Sequence, residues 1–140
     1  MPSFHTAFDL PINNILHTES PDFFRHGLEG ETQLQFSARR ADQLEEMILR
    51  EGADTVAAFI AEPVLGAGGV VPPPEGYFAA IQKVLKRYDI LFIVDEVVCG
   101  YGRLGKWFGS EIYDLKPDMM TTAKALTSGY FPFSATCISD

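Results

Sequence analysis

Two residues in the middle of the chain, Asp95 and Lys124, have the types and the spacing required for chemistry between a carboxylate and an amine. Asp95 follows an apolar run at 90–94, and Lys124 follows a second stretch at 119–123. They lie 29 residues apart (124 − 95), which is enough for a strand, a crossover and a second strand parallel to the first. Since open α/β sheets bind ligands at the carboxyl ends of such strands, both side chains are expected to face one crevice.

A carboxylate and an amine in one crevice are the groups that a pyridoxal phosphate enzyme needs. The amine of Lys124 would form a Schiff base with the aldehyde of the cofactor. The carboxylate of Asp95 would keep the pyridine nitrogen protonated, so that the ring can accept electrons. The small and apolar neighbours Ala123, Ala125 and Leu126 favour a buried position for Lys124, where an amine is costly unless it is paired or covalently modified.

Simpler interpretations of the same residues stay open on pattern alone. Most lysines are surface residues. An acidic residue that closes an apolar strand is also found in other α/β enzymes, including metal-dependent ones. A metal site at Asp95 and Glu96 is disfavoured, because adjacent residues of a strand point to opposite faces. Glu62 closes an earlier apolar run, and this pattern fits a strand terminator as well as a site residue.

The surrounding sequence alternates apolar runs with amphipathic helices, which predicts an α/β fold with a mostly parallel sheet flanked by helices. Residues 1–36 are predicted to be an irregular lead-in, and residues 37–140 the α/β part. The first helix is placed at 37–51, with Ser37 as its N-cap and Gly52 as its stop. The other predicted elements are a buried strand at 55–61, a helix at 75–88 and strands at 90–94, 119–123 and 134–139.

Two glycine-rich loops, at 64–76 and 97–113, follow the first two predicted strands. Glycine allows positive φ angles and a close approach of the backbone to a ligand. The second loop also contains Tyr101, Trp107 and Phe108, which are predicted to pack beneath a pocket rather than to line it.

The composition is that of a globular domain with an acidic balance. The 140 residues carry a formal net charge of −8, which argues against nucleic acid as a partner because no stripe of Lys and Arg is present. Cys99 and Cys137 are too few for a disulfide scaffold or a zinc site, which favours a reducing, cytoplasmic setting. No apolar run is long enough to predict a membrane span, and the N-terminal residues lack the pattern of a signal peptide.

Three segments carry a family resemblance: AEPVLGAGG at 61–69, VDEVVCGYGRLG at 94–105 and PDMMTTAKALTSGYFP at 117–132. In this order and spacing, they resemble the class III, or ω-, aminotransferases, which are pyridoxal phosphate enzymes of fold type I. The resemblance spans essentially the whole chain. Within the family, the segments look most like those of pyruvate-accepting amine, β-alanine and diamine transaminases.

The resemblance implies a role for five residues. Lys124 would be the Schiff-base lysine, and Asp95 the partner of the pyridine nitrogen. Val97 would pack against one face of the cofactor ring, and Glu62 would lie near the substrate. Val98 belongs to the cofactor site and stands where some relatives have a glutamine, which weakens an assignment to the ornithine or 4-aminobutyrate branch.

The implied activity is transfer of an amino group from an amine or ω-amino acid to pyruvate or another keto acid, in a homodimer or higher homo-oligomer. Family members are much longer than this chain. The resemblance therefore implies part of a fold type I large domain, without the residues that cup the phosphate and without the small C-terminal domain. Two alternatives stay open: a truncated, catalytically incomplete fragment, and another pyridoxal phosphate reaction on the same fold, such as that of an aminomutase or a racemase.

Overall fold

A single sheet holds the strands that carry the predicted site residues. The structure is a computed structural model and describes residues 2–8, 10 and 12–139. Within them, four strands lie side by side in chain order: β1 (Ala58–Ala61), β2 (Leu91–Asp95), β3 (Met119–Thr122) and β4 (Ala135–Ile138). Strands β1, β2 and β3 are parallel, and β4 is antiparallel to β3. The predicted α/β class with a mostly parallel sheet is confirmed.

The core lies on one face of this sheet, beneath two long helices. The described helices are α1 (Pro2–Ala7), α2 (Phe23–His26), α3 (Gln33–Glu51), α4 (Tyr77–Arg87) and α5 (Gly109–Ile112). Helix α4 packs on β2, and α3 packs on α4. The buried apolar residues of this core are Ala41, Leu44, Ile48, Tyr77, Phe78, Ile81, Val84, Leu85, Ile90, Phe92, Val94 and Leu115.

Helix α3 begins four residues earlier than predicted. The hydroxyl of Thr32 accepts a hydrogen bond from the Gln35 N–H at 3.2 Å, and the Gln35 side chain accepts one from the Thr32 N–H at 2.9 Å. This capping box satisfies the first free amides of the helix. Ser37, the predicted N-cap, is instead buried within the helix and donates to the carbonyl of Glu75 at 2.7 Å. The prediction was wrong because it overlooked the Thr-x-x-Gln pattern.

The lead-in at 1–36 is also less irregular than predicted. It contains α1, α2 and the start of α3, while residues 1, 9 and 11 lie outside the described part. Helix α2 begins after Asp22, whose side chain accepts a hydrogen bond from the Arg25 N–H at 3.1 Å. An aspartate in this position caps a short helix even where the sequence has no apolar period.

The first strand is shorter than predicted and is covered on one face only. The chain forms a 3₁₀ helix at Ala53–Thr55 before β1 begins. Ile60 of β1 is 58% exposed, so the prediction of a buried strand was wrong. The physical reason is that α3 and α4 both lie on the opposite face. One residue from each strand forms an in-register apolar row on the open face: Ile60, Ile93, Met119 and Ile138.

Candidate active site

The carboxylate and the amine predicted to share a crevice follow neighbouring parallel strands. Asp95 is the last residue of β2 and pairs in register with Thr121 of β3. Lys124 begins a short 3₁₀ helix just beyond the end of β3. Its φ angle of 45° is left-handed, which is uncommon for a residue other than glycine. The predicted arrangement of the two strands is therefore confirmed.

Lys124 is exposed in this chain, so the expectation of a buried amine was wrong. Strand β3 ends at Thr122, and the chain leaves the sheet before it reaches the lysine. Ala125 and Leu126 are only half-buried and do not enclose the amine. Within the described part of the chain, the amine has no ion pair or hydrogen bond. It is therefore free to react with a ligand.

A cavity of about 340 Å³ opens beside Lys124, between the loops that follow β1 and β2. Three of the predicted site residues line it, namely Val97, Val98 and Lys124. The other lining residues, which were not predicted, are Val64, Gly66, Val70, Cys99, Arg103, Leu104 and Ala125. The walls are thus mostly apolar, and two cationic side chains, Arg103 and Lys124, also line the cavity. This composition suits a ligand that combines a flat apolar ring with an anionic group.

Asp95 adjoins this cavity without being one of the residues that line it. Its Oδ1 accepts a hydrogen bond from the backbone N–H of Val97 at 2.9 Å, and Val97 does line the cavity. Among the residues that the structure describes, Oδ2 has no hydrogen-bond partner. The local bond therefore fixes one oxygen and leaves the other able to accept a hydrogen bond from a ligand.

Glu62 is connected to the cavity through Gly66. Its Oε2 accepts a hydrogen bond from the Gly66 N–H at 2.9 Å. A Cβ added to Gly66 would lie 3.1 Å from Cγ1 of Val98 and 3.3 Å from that same Oε2. Both contacts are tight, so a side chain at this position would require Val98 or Glu62 to move by a few tenths of an ångström.

Glu96 differs sharply from its neighbour Asp95. Its side chain is fully buried and accepts hydrogen bonds from the N–H groups of Gly109 and Ser110. The Asp95 and Glu96 side chains therefore lie in different surroundings, because adjacent residues of a strand point to opposite faces. Within the described residues there is no group of three or more His, Cys, Asp or Glu side chains that could hold a metal ion.

Cys99 is a wall residue that sequence reasoning did not assign to the site. Its Sγ donates to the carbonyl of Val64 at 3.5 Å, which joins the loops after β1 and β2. Burial raises the pKa of the Cys99 thiol above its ordinary value, and the carboxylates of Glu96, Glu62 and Asp95 act in the same direction. This thiol is therefore a packing group of the cavity and a weak nucleophile.

The aromatic residues of the second loop do not line the cavity. Tyr101 and Phe108 pack edge to face, with ring centroids 5.4 Å apart. The Tyr101 hydroxyl donates to the hydroxyl of Thr122 at 3.3 Å, at the end of β3. Packing was the predicted role, and it holds for these two rings. The Trp107 side chain is 71% exposed and does not pack with these two rings.

The family of this chain follows from a comparison of its sequence with models of known protein families. Residues 3–140 match the model of the family described as "Aminotransferase class-III". The chain belongs to that family. Its members depend on pyridoxal phosphate, which agrees with the carboxylate and amine at the ends of β2 and β3.

The relatives are transaminases of greater length. The chain is 57% identical to the mitochondrial gamma aminobutyrate transaminase 1 of Solanum lycopersicum, over 99% of this chain and 27% of that protein. It is 56% identical to the vanillin aminotransferase of Capsicum chinense, over 99% of this chain and 30% of that protein. It also superposes on an omega transaminase from Pseudomonas jessenii in complex with PMP, with a TM-score of 0.96, 47% identity and coverage of 100% of this chain and 31% of that one.

These comparisons bear on the interpretation of Val98. A relative named for gamma-aminobutyrate shares 57% identity with this chain. The interpretation of Val98 as evidence against the ornithine or 4-aminobutyrate branch stays a prediction. The chain spans about 30% of the length of the vanillin aminotransferase and of the Pseudomonas structure.

The residues present fit pyridoxal phosphate. The amine of Lys124 and Oδ2 of Asp95 both lack partners among the described residues, and they follow adjacent strands. Val97 and Val98 supply part of the apolar wall of the cavity that Lys124 also lines. Within the described residues, no helix has both the length and the apolar character to cross a membrane.

Proposed function

We propose that the protein of which this chain forms part is a transaminase that moves an amino group from an amine or ω-amino acid to pyruvate or another keto acid. The observation that carries this proposal is the pairing of Asp95 with Thr121, which brings the ends of β2 and β3 together in a class-III aminotransferase chain. The partners are accordingly a small amino donor and a keto-acid acceptor. The acidic chain, with a net charge of −8, gives no support for nucleic acid as a partner.

Each proposed site residue has one task. When bound, pyridoxal phosphate supplies a ring that withdraws electrons from the substrate. Lys124 would hold the cofactor through its amine and would move a proton at the substrate carbon once that amine is released. Asp95 would hold a proton on the ring nitrogen through Oδ2. Val97 and Val98 would exclude water from one face of the ring, and Glu62 would lie near the substrate.

A second candidate concerns the 140-residue chain by itself. Its exposed Lys124 and its open apolar sheet face support a catalytically incomplete part of a larger domain. We place the whole chain, 1–140, in the large domain of fold type I, with α3, α4 and the sheet as its α/β part. An aminomutase or racemase on the same fold is the remaining alternative, and product analysis with and without a keto acid separates it from a transaminase.

Assembly is proposed from the exposed surfaces of the chain, and location from its cysteines. The open face and the exposed Lys124 are consistent with a homodimer or higher homo-oligomer of the full-length protein, in which further residues cover them. Free thiols at Cys99 and Cys137 support a reducing compartment such as the cytoplasm. The tomato gamma aminobutyrate transaminase 1 is a mitochondrial protein by its name.

Borohydride trapping tests the cofactor site on which the proposed function depends. The chain is mixed with pyridoxal phosphate, its visible absorption is recorded, and the adduct is reduced and located by peptide mapping. We expect the label on Lys124 and its loss in Lys124→Ala. Lys86→Ala is the matched control, because Lys86 is an exposed lysine on α4. Equal labelling of Lys124 and Lys86 would contradict a specific cofactor site.

A further inference from the structure

Glu96 makes five hydrogen bonds, which connect three segments of the chain around the candidate site. Its backbone N–H donates to the carbonyl of Thr121 at 2.9 Å, and its carbonyl accepts from the N–H of Gly100 at 2.9 Å. Its side-chain Oε2 accepts from the Gly109 N–H at 3.0 Å. Its Oε1 accepts from the N–H and the hydroxyl of Ser110, at 2.6 and 2.7 Å. The side chain is fully buried, so water does not compete for these bonds.

The start of α5, which donates the hydrogen bonds to the Glu96 side chain, is itself closely packed. A Cβ added to Gly109 would lie 2.7 Å from Cβ of Pro63 and 3.2 Å from Cβ of Cys99. The start of α5 therefore fits closely between the loop after β1 and the loop after β2. The Glu96 carboxylate therefore bonds to a segment whose own position is restricted by its packing against Pro63 and Cys99.

This anchoring acts on the residue next to it. Adjacent residues at a strand end point to opposite faces, so a rotation that moved Glu96 away from Gly109 would also turn Asp95 away from its present direction. Asp95 would then lose its bond to the Val97 N–H. We infer that Glu96 is a positioning residue, which holds the Asp95 carboxylate and the adjoining Val97 wall in the orientation that the cofactor requires. This inference rests on the proposed function of Asp95.

The chemistry of the contact explains why a carboxylate is needed. Three donors, two on Ser110 and one on Gly109, face the two oxygens of Glu96. A carboxylate only accepts hydrogen bonds, whereas a glutamine amide would direct an NH₂ group at one of these donors. Glu96→Gln therefore keeps the size of the side chain and breaks the arrangement.

Amide hydrogen exchange in the cofactor-free chain tests the inference, with the exchange rate of the Val97 N–H as the readout. We expect Glu96→Gln to speed exchange at Val97 by roughly tenfold, while amides in α3 change little. Ser110→Ala, which removes one donor and keeps the backbone amides, should have a smaller effect of the same kind. Ser110→Thr, which keeps the hydroxyl, should restore the protection that Ser110→Ala loses.

The matched control is Glu111→Gln. Glu111 lies on α5 with Ser110, is exposed, and accepts a hydrogen bond from the Phe108 N–H at 2.9 Å. The Glu111→Gln substitution should leave the exchange rate at Val97 unchanged. Unaltered Val97 exchange in Glu96→Gln would overturn the inference, as would an equal rise at every amide. If Glu96→Gln does not fold, the comparison of Ser110→Ala with Ser110→Thr decides the question by the same readout.

A second measurement separates this inference from the proposed function. The absorption of bound pyridoxal phosphate is titrated with pH in Asp95→Asn, in Glu96→Gln and in the double variant. If Glu96 acts through Asp95, each single variant shifts the titration and the double variant shifts it no further than Asp95→Asn. Additive shifts would count against the inference alone. An Asp95→Asn variant that titrates like the original chain would count against the proposed role of Asp95 at the cofactor, whereas the exchange rate at Val97 would still show whether Glu96 holds the Asp95 carboxylate in place.

Discussion

Asp95 at the end of β2 pairs in register with Thr121 of β3, three residues before Lys124. The strand that carries the carboxylate and the strand that leads to the amine are therefore hydrogen-bonded neighbours. Their separation is set by sheet geometry, because adjacent strands lie at a fixed distance of about 4.8 Å. The loops that follow β1 and β2 supply the remaining walls of the cavity, and their close contacts lead to the first two predictions.

Gly66→Ala should weaken cofactor binding. The added methyl group would meet Val98 at 3.1 Å and Glu62 at 3.3 Å, so it would push the cavity wall out of place. We expect the apparent affinity for pyridoxal phosphate to fall roughly tenfold, or about 1.4 kcal/mol. Titration by visible absorption measures this. Gly68→Ala is the control, because its methyl group would make only ordinary contacts with Leu65. Similar affinities in the two variants would show that the approach of Gly66 to Val98 is unimportant.

Gly109→Ala should destabilise the fold itself. Its methyl group would lie 2.7 Å from Cβ of Pro63, a distance that requires the loop after β1 or the start of α5 to move. Overpacking of this kind costs about 1–3 kcal/mol in the free energy of unfolding. Urea denaturation followed by circular dichroism measures this free energy, again with Gly68→Ala as control. An unchanged unfolding midpoint would mean that the contact between Gly109 and Pro63 relaxes freely.

The ion pair between Glu31 and Arg39 should make stability depend on pH in the acidic range. Arg39 donates two hydrogen bonds to the carboxylate, each at 2.7 Å, and they lower the pKa of Glu31 from its ordinary 4.5 to about 2. Because the folded-state pKa is lower than that of the unfolded chain, the stabilisation is fully present above about pH 4.5. It is lost as the pH falls through about 2.

Glu31→Gln tests this dependence. Its melting temperature should be lower than that of the original chain near neutral pH, and the difference should shrink as the pH falls toward 2. Thermal unfolding at a series of pH values measures both melting temperatures. Glu29→Gln is the control, since Glu29 is exposed and has no ion pair within the described residues. A difference that stays constant across the acidic range would exclude the pair as its source.

Ile60→Lys should reduce self-association of the chain. Ile60 belongs to the in-register apolar row on the open sheet face, and Ile138 in the same row is 71% exposed. Exposed apolar faces of this kind favour association, and a charge placed in the row opposes it. Size-exclusion chromatography with light scattering measures the associated fraction. Leu49→Lys is the control, because Leu49 is equally exposed at 58% but lies on α3. The same decrease in both variants would show that the sheet face has no special role.

Much of the fold could be predicted because its signals are local. The apolar run at 90–94 and the amphipathic pattern of α4 indicated a strand and a helix of nearly the observed extent. The true start of α3 was also a local signal, since Thr32 and Gln35 form a capping box that pattern reasoning could have found. Exposure could not be predicted from the same runs, because the helices among the described residues cover one face of the sheet and leave the other open.

The sequence by itself determined that Asp95 would end one strand and that Lys124 would follow a neighbouring parallel strand, because chain length and apolar periodicity restrict that part of the topology. It also determined the family, through three motifs in a constant order. Only the tertiary structure decided that Glu96 would bond Gly109 and Ser110, which lie 13 and 14 residues further along the chain. The path of an intervening glycine-rich loop sets those contacts, and such a path depends on close packing between elements distant in sequence rather than on any local pattern.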